Sequence, residues 1–472
     1  LHYHLIGIAG TAMGSLAGLL RQKGHRVTGS DEGVYPPMSD LLDRFGIEYA
    51  RHFDPTNVEP APDVVVVGNA ISRGNPELES VLERRLHYAS AAHTIKEEFL
   101  RGRHVVAVAG THGKTTTASL VAWLLEVAGF DPSFLIGGVA ENFGTSFRLT
   151  DSEVFVIEAD EYDTAYFDKG PKMWHYLPWT AVVGNVEFDH ADIYRDDEAY
   201  RFAFQRFINL IPRTGTLVVG WESPTARELS AASHAPLESF GVEDRTGAVG
   251  LPPRWQAVDV RYQADGTVFD VAHDGVVLGT VETPLAGAFN VRNALAAIAA
   301  AHAVGAAWEA IREGLRTFRS VRRRMEVRGE VRGVTVIDDF AHHPTAVRET
   351  LLAVRQRYAG RRIVALFEPR SYTAQRREFQ EPYREALRGA DRIVLAGLFH
   401  PERYTAETGM NPNELVAALR VDGLEADYIA DVDEIVQTVA PRAASGDVLL
   451  VMSNGGFGGI HGKLLAALAQ TG

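Results

Sequence analysis

The chain has 472 residues, enough for about three domains that each bury a core, and its 46% hydrophobic and 23% charged residues describe an ordinary globular composition. No apolar run approaches the roughly 18–20 residues that span a bilayer, and a formal net charge of −14 argues against a general nucleic-acid binder. Zero cysteines exclude a disulfide framework and thiolate chemistry, and with an opening that runs straight into a strand the expectation is a cytoplasmic enzyme with no membrane insertion.

Residues 1–99 alternate strands with helices: Tyr3–Ile8, Met13–Lys23, Arg26–Gly29, Met38–Phe45 and Asp63–Gly68. That alternation predicts a parallel sheet with crossover helices, a Rossmann-like domain. Its first turn, Gly7-Ile-Ala-Gly10-Thr11-Ala-Met13-Gly14, is a stretched dinucleotide fingerprint, and Ser30-Asp31 closes the second strand where such folds bind a ribose. A glycine turn without a ligand fits the same letters, and so does a cradle for a uridine diphosphate. The loop after Val67 carries Asn69 and Ser72 at a strand's carboxyl end, which suits a ligand crevice or an ordinary polar loop.

Residues 100–319 open with HVVAVAGTHGKTTTASLVAWLL, an apolar strand, a glycine turn and a helix. Gly110, Thr111, His112 and Gly113 shape a phosphate cradle, Lys114 reaches the β/γ-phosphates, the Thr115 hydroxyl suits Mg²⁺, and Thr116 begins the helix. The full motif asks for glycine where Val108 stands, so this P-loop is shortened. Two acidic clusters follow strands, Glu158-Ala-Asp160-Glu161-Tyr-Asp163 and Asn185-Val-Glu187-Phe-Asp189-His190. A carboxylate and a histidine converging on a P-loop would hold Mg²⁺ against transferring phosphates. Residues 221–284 read as an antiparallel insertion packing beside the parallel sheet, and Gly287-Ala-Phe-Asn290-Val-Arg-Asn293 opens an alanine-rich helix.

Residues 320–472 restart the alternation, with strands at Val334–Asp338, Ile363–Phe367, Arg392–Ala396 and Val448–Met452. Arg322, Arg323 and Arg324 sit at the seam before this unit, where an arginine would meet a phosphate only when domains close. Asp338-Asp339-Phe-Ala-His342-His343 leaves one strand and Arg370-Ser-Tyr372 the next. Adjacent histidines point to different faces, so ligand contact or loop structure is expected of His342 and His343 rather than a metal pair.

In order and spacing, GTHGKTT, EADE, NVEFDH, GAFNVRNA, RRRMEVRG, DDFAHHP and FEPRSYT resemble the Mur ligases, ATP-dependent amide-bond-forming enzymes of peptidoglycan synthesis, over the whole length. The resemblance implies an α/β chain of three domains. A Rossmann-like unit (1–99) takes the UDP-sugar, a P-loop ATPase (100–319) carries the antiparallel insertion, and a Rossmann-like unit (320–472) closes over ATP and the acceptor. It implies an acyl phosphate made from UDP-N-acetylmuramate and ATP, then attack by an amine. HLIGIAGTAMGSLAGLL, GVYPPMSDLL, EYDTAYFDKGPKMWHY and SNGGFGGIHGKLL look like the members that accept L-alanyl-γ-D-glutamyl-meso-diaminopimelate; the alternative is members that accept L-alanine.

Carried over by motif, Lys114 and Thr115 serve the phosphates and a first Mg²⁺, and Glu158 and His190 ligate the Mg²⁺ that bridges phosphate and substrate. Asn290 and Asn293 touch adenine, and Arg324 and Asp339 close over ATP. Gly10, Thr11, Met13, Ser30, Asp31, Asn69 and Ser72 line the UDP-sugar crevice, and His343, Arg370 and Tyr372 stand around the acceptor. Residues 195–210 hold no lysine, so the carbamylated lysine of several family members is not expected. A monomer or weak homo-oligomer is expected. Two rivals share the P-loop: a nucleotide-binding regulator that has lost catalysis, and a folylpolyglutamate-type ligase without a uridine-binding domain.

Overall fold

The computed structural model describes residues 1–35, 38–242 and 252–470. Pro36 and Pro37 of the GVYPPMSDLL segment, and residues 243–251 of the expected insertion, lie outside the described residues. The described chain forms three sheets of five, ten and six strands and a two-stranded hairpin, each larger sheet flanked by helices.

The N-terminal sheet is wholly parallel, in the order Glu48–Ala50, Arg26–Ser30, His2–Ile6, Val64–Val67, Tyr88–Ser90. Chain direction around the sheet reverses between His2–Ile6 and Val64–Val67. That switch opens a crevice at the strands' carboxyl ends, where Gly7–Gly10 and Gly68–Ser72 lie. The four consecutive valines of Val64–Val67 are buried, as a strand covered on both faces requires. The two edge strands are only three residues long and carry too little pattern to be read from sequence.

The central sheet holds seven parallel strands around His104–Ala109, from Ser133–Ala140 at one side to Trp255–Gln263 at the other. Gly266–His273 and Val276–Thr283 then continue it antiparallel, and Thr145–Arg148 closes the opposite edge. The insertion therefore extends the sheet rather than packing beside it. Backbone pairing of Phe240–Val242 with Trp255–Ala257 makes the join, and the fully buried Trp255 anchors it. The helix Lys114–Val127 is apolar nearly all round because the sheet covers one side and the helices Ala288–Val304 and Trp308–Thr317 the other. Leu120, Leu124 and Leu125 are fully buried there, each worth about 1.5–3 kcal/mol.

In the C-terminal sheet the order is Glu326–Val331, Val334–Asp339, Val448–Met452, Ile363–Phe367, Arg392–Leu395, Glu425–Tyr428, parallel except for the first strand. The linker into it, Ser320–Met325, is bent by left-handed residues at Ser320 (φ 75°), Arg323 (φ 61°) and Met325 (φ 50°). Hydrogen bonds hold the bend against that strain: Glu141 N–H to Ser320 O (3.1 Å), Arg322 N–H to Val139 O (3.1 Å) and Met325 N–H to Asp339 Oδ2 (2.8 Å). Among the described residues no helix is long and apolar enough to cross a membrane.

Candidate active site

The P-loop lies between the central and C-terminal sheets. Gly113 caps the helix Lys114–Val127 in a left-handed conformation (φ 82°), and a Cβ there would collide with the Asn293 amide. Glycine is needed on both counts. Asn293 Nδ2 donates to Asn290 Oδ1 (3.1 Å), and Asn290 Nδ2 to Ala286 O (2.8 Å), so the two amides stack behind the loop one helical turn apart. Asn185 braces the front: its Oδ1 accepts from His112 N–H (2.8 Å) and its Nδ2 donates to His112 O (3.1 Å). Thr111 is tied to Glu187 O and the Tyr200 hydroxyl, both at 3.0 Å, and Thr116 is buried in the first helical turn.

Lys114 folds back over the loop, donating to Gly110 O (2.8 Å) and lying 2.7 Å from Glu161 Oε2. Burial alone would pull its pKa down. The Glu161, Asp160 and Glu158 carboxylates reverse that and hold it above the ordinary lysine value. Thr115 Oγ1 donates to Glu158 Oε1 (3.0 Å), and Glu158 Oε2 accepts from Gly137 N–H (2.7 Å). Burial pushes the Glu158 carboxyl up, against the pull of Lys114.

His190 sits in a left-handed kink (φ 56°) with Nε2 3.0 Å from Glu161 Oε1. Burial lowers its pKa, but the Glu161 hydrogen bond and the Asp189 charge carry it above the usual histidine value. The structure thus seats His190 on Glu161 and gives Glu158 to Thr115, whereas the motif pairs Glu158 with His190. Glu161 is fully buried, and Tyr194 donates to its backbone oxygen (2.6 Å). It is the central carboxylate that the sequence reading left unassigned. Its position in the acidic run, one residue past Asp160, was the available signal.

The arginine triplet divides three ways. Arg322 Nε donates to Glu141 Oε1 (2.7 Å) on the central domain's surface. Arg323 donates to Ser453 O (2.8 Å) and Gly455 O (2.6 Å) in the C-terminal domain. Arg324 reaches the P-loop, with Nη2 3.3 Å from Thr115 Oγ1 and its guanidinium over the Phe340 ring. Asp339, expected to close over ATP, is engaged by backbone in this structure. Its two oxygens accept from Met325 N–H and Ala341 N–H, both 2.8 Å, so its carboxylate positions the Arg324 loop.

His343, expected around the acceptor, has a structural task as well. It caps the helix Pro344–Arg357, accepting from Thr345 N–H (3.3 Å), and its ring lies 4.7 Å from that of His112. His112 Nε2 is in turn 3.1 Å from Glu187 Oε2. Burial brings the His343 pKa down to about 3 and that of His342 to about 4, so both rings are neutral. His342 Nε2 lies 4.0 Å from Asp189, whose Oδ1 also accepts from Thr373 Oγ1 (2.6 Å). Arg370 lies over the Phe399 ring (3.8 Å) and against Gly455, where a Cβ would collide with it. Tyr372 is exposed, with its hydroxyl held by Arg403.

At the N-terminal crevice, Thr11, Asn69 and Ser72 are exposed, and Asn69 Nδ2 crosses to Asp163 Oδ1 (3.1 Å) of the central domain. Gly10 caps the helix Thr11–Gln22, and Asp31 stitches the turn by accepting from Ala9 N–H (3.0 Å) and Gly33 N–H (2.9 Å). Two expected contacts are turned inward. Ser30 is fully buried and donates to Glu77 Oε2 (2.5 Å), and Met13 packs in the core. Both side chains fill space beneath the crevice.

Three α/β domains, with a charged P-loop where the central one meets the C-terminal one, describe a multidomain α/β enzyme. Comparison with known proteins agrees. Residues 2–102 match the Mur ligase family, catalytic domain; 108–301 match the Mur ligase middle domain; and 323–455 match the Mur ligase, glutamate ligase domain. The chain is 44% identical over 468 residues to the UDP-N-acetylmuramate–L-alanyl-γ-D-glutamyl-meso-2,6-diaminoheptandioate ligase of Escherichia coli (strain K12), covering 99% of this chain and 98% of that one. It is 36% identical over 467 residues to the UDP-N-acetylmuramate–L-alanine ligase of Roseiflexus sp. (strain RS-1), covering 96% of each. Among solved structures, a murein peptide ligase from Psychrobacter arcticus superimposes with a TM-score of 0.74 at 37% identity, covering 100% of this chain and 99% of that one. The chain belongs to the Mur ligase family, and it is a ligase.

Proposed function

We propose that the protein joins the lactyl carboxylate of UDP-N-acetylmuramate to the amine of L-alanyl-γ-D-glutamyl-meso-diaminopimelate, using ATP, in recycling of cell-wall peptide. The observation that carries the reading is the meeting of Lys114, Thr115, Glu158, Glu161 and His190 with Arg324 from across the domain seam. Likeness at 44% identity to a ligase of that peptide, against 36% to an L-alanine ligase, supports the choice of acceptor.

In this reading residues 1–99 hold the UDP-sugar, 100–319 the ATP, and 320–472 close over both and bring the peptide. The substrate carboxylate attacks the γ-phosphorus and ADP leaves. The peptide amine then attacks the acyl carbon, sheds a proton, and phosphate leaves. Lys114 and Arg324 hold the phosphate anions together, and Asn290 and Asn293 back the loop on which the nucleotide lies. The Thr115 hydroxyl, the Glu158 carboxylate and the His190 ring are the donors that would hold Mg²⁺. The Glu158 carboxylate already paired with Thr115 is a hard oxygen site that fits that ion. When bound, Mg²⁺ supplies neutralisation of the phosphate charge. We read the enzyme as cytoplasmic and as a monomer or weak homo-oligomer.

The test is phosphate release from ATP and UDP-N-acetylmuramate with L-alanine, L-alanyl-γ-D-glutamate and the tripeptide offered side by side. The tripeptide is expected to give the highest kcat/KM. Turnover with L-alanine and none with the tripeptide would overturn the assignment.

A further inference from the structure

Among the described residues, His112, Glu187 and His343 bring three metal-ligating atoms within 4.8 Å of one another. They come from three elements and two domains. His112 lies in the P-loop, Glu187 follows the strand Thr180–Val183, and His343 caps the helix Pro344–Arg357 of the C-terminal domain. None of the three belongs to the Mg²⁺ donor set of Thr115, Glu158 and His190.

Glu187 Oε2 is shared by the two rings, 3.1 Å from His112 Nε2 and 3.8 Å from His343 Nδ1. The first contact contains a hydrogen, donated by the His112 ring. The second contains none. His343 Nδ1 accepts from Thr345 N–H (3.3 Å), so it presents a lone pair, and the carboxylate oxygen presents another. Two acceptors facing across 3.8 Å repel, and a cation between them removes the repulsion. The backbone beneath is already fixed: the Asn185 amide holds His112 at both polar groups, and Glu187 N–H donates to Thr111 Oγ1 (2.9 Å). The His343 ring packs edge-on against Phe379, with centroids 5.8 Å apart. Supporting contacts of this kind fix ligands before a metal arrives.

Two imidazoles and one carboxylate suit Zn²⁺ and its d-block neighbours, whereas Mg²⁺ takes oxygen ligands. Tetrahedral Zn²⁺ needs such donors about 3.3–3.5 Å apart, which the 3.1 Å and 3.8 Å separations bracket. We infer that His112, Glu187 and His343 form a site for one divalent d-block ion of the Zn²⁺ class, which clasps the P-loop to the C-terminal domain. On binding, the His112 hydrogen moves from Nε2 to Nδ1, and His343 exchanges its long bond from Thr345 for the metal. His343 works here with the central domain, and its neighbour His342 takes no part. The site uses no substrate atom, so it stands apart from the proposed reaction.

The experiment titrates the full chain, free of nucleotide and substrate, with Co²⁺ as a visible probe and then with Zn²⁺. One Co²⁺ per chain is expected, with the strong visible absorption of a four-coordinate ion. Zn²⁺ should displace it at equal concentration, and Mg²⁺ should not do so even in large excess. His343→Asn keeps a good helix cap, and Glu187→Gln alters a side chain that is 40% exposed, so both variants retain the fold. Each should weaken Co²⁺ binding about 100-fold or more, at or past the upper end for losing one partner of a metal ligand. Zn²⁺ should raise the melting temperature of the wild type and leave both variants unmoved. No four-coordinate spectrum in the wild type, unchanged affinity in both variants, or displacement by Mg²⁺ at equal concentration would overturn the site. Those outcomes leave the ligase reading in place, and a wild type that binds Co²⁺ in this way but ligates nothing would overturn that reading alone.

Discussion

Glu161→Gln tests the centre of the site, because it removes one charge and little volume. The carboxylate is fully buried, 2.7 Å from Lys114 Nζ and 3.0 Å from His190 Nε2. At an effective dielectric near 20, a 2.7 Å pair has a gross attraction of about 6 kcal/mol, most of it offset by the cost of desolvating both ions. Removing one partner of a buried pair costs about 3–5 kcal/mol, since the other is left uncompensated. Here Asp160 and Glu158 still face Lys114, so the lower end, about 3 kcal/mol, is expected. For a unit of this size that corresponds to a fall of about 6–12 °C in the central domain's melting transition. Calorimetry should show it, in the transition that ATP shifts upward in the wild type. The His190 pKa should fall as well, because Glu161 is the main group raising it, and NMR titration of the ring would read this. A melting temperature within a degree of wild type would refute the argument that Glu161 anchors Lys114.

Three further outcomes follow from the same geometry. Gly113→Ala combines a left-handed φ with a collision against Asn293, about 2–5 kcal/mol in sum, and should abolish the ATP-induced thermal shift. Arg324→Lys keeps the charge but loses the planar fork at Thr115 and the stack on Phe340; KM for ATP should rise about tenfold with the UDP-sugar KM little changed. Stability should fall as pH drops from about 6.5 towards 4. His342 stays neutral in the fold until about pH 4, whereas the unfolded chain binds that proton near 6.5, so acid favours the unfolded state by a few kcal/mol. Urea midpoints across that range, flattened in His342→Asn, would check it.

Strong periodicity and motif spacing made the three-domain α/β plan readable. Val64–Val67 or Val448–Met452, buried on both faces, announce themselves as apolar runs, and the Gly-rich turn with Lys114-Thr115 fixes the P-loop by local chemistry. Three short polar strands, Glu48–Ala50, Tyr88–Ser90 and Glu425–Tyr428, were not legible because neighbours rather than side-chain pattern hold them in the sheets. Glu326–Val331 alternates as a strand should, but its charged residues run on from the arginine triplet and mask the pattern. Within the candidate site, motif spacing locates the runs that the structure gathers around the P-loop but does not say which way each side chain faces. Burial decides that for Ser30 and Met13, and a helix cap decides it for His343. Glu161 differs from Glu158 by three positions in one acidic run, and only the fold shows which of them meets His190.

The arginine triplet ties the P-loop to both sides of the domain seam. Three consecutive guanidiniums cannot share a solvent face when the linker turns left-handed at Arg323 and again at Met325. The turn sends Arg322 to Glu141 of the central domain and Arg323 to the Ser453–Gly455 carbonyls of the C-terminal domain. Arg324 is left to point at Thr115, its loop held by Asp339. Burial opposes the Arg324 charge, and Asp339 and Glu158 support it from opposite sides of the seam. Separating the domains would take Arg324 away from Thr115 and Glu158 at once. In the proposed function the cation that meets the phosphate is therefore complete only when the domains are together, which would keep an activated acyl group away from water until the acceptor's domain has arrived.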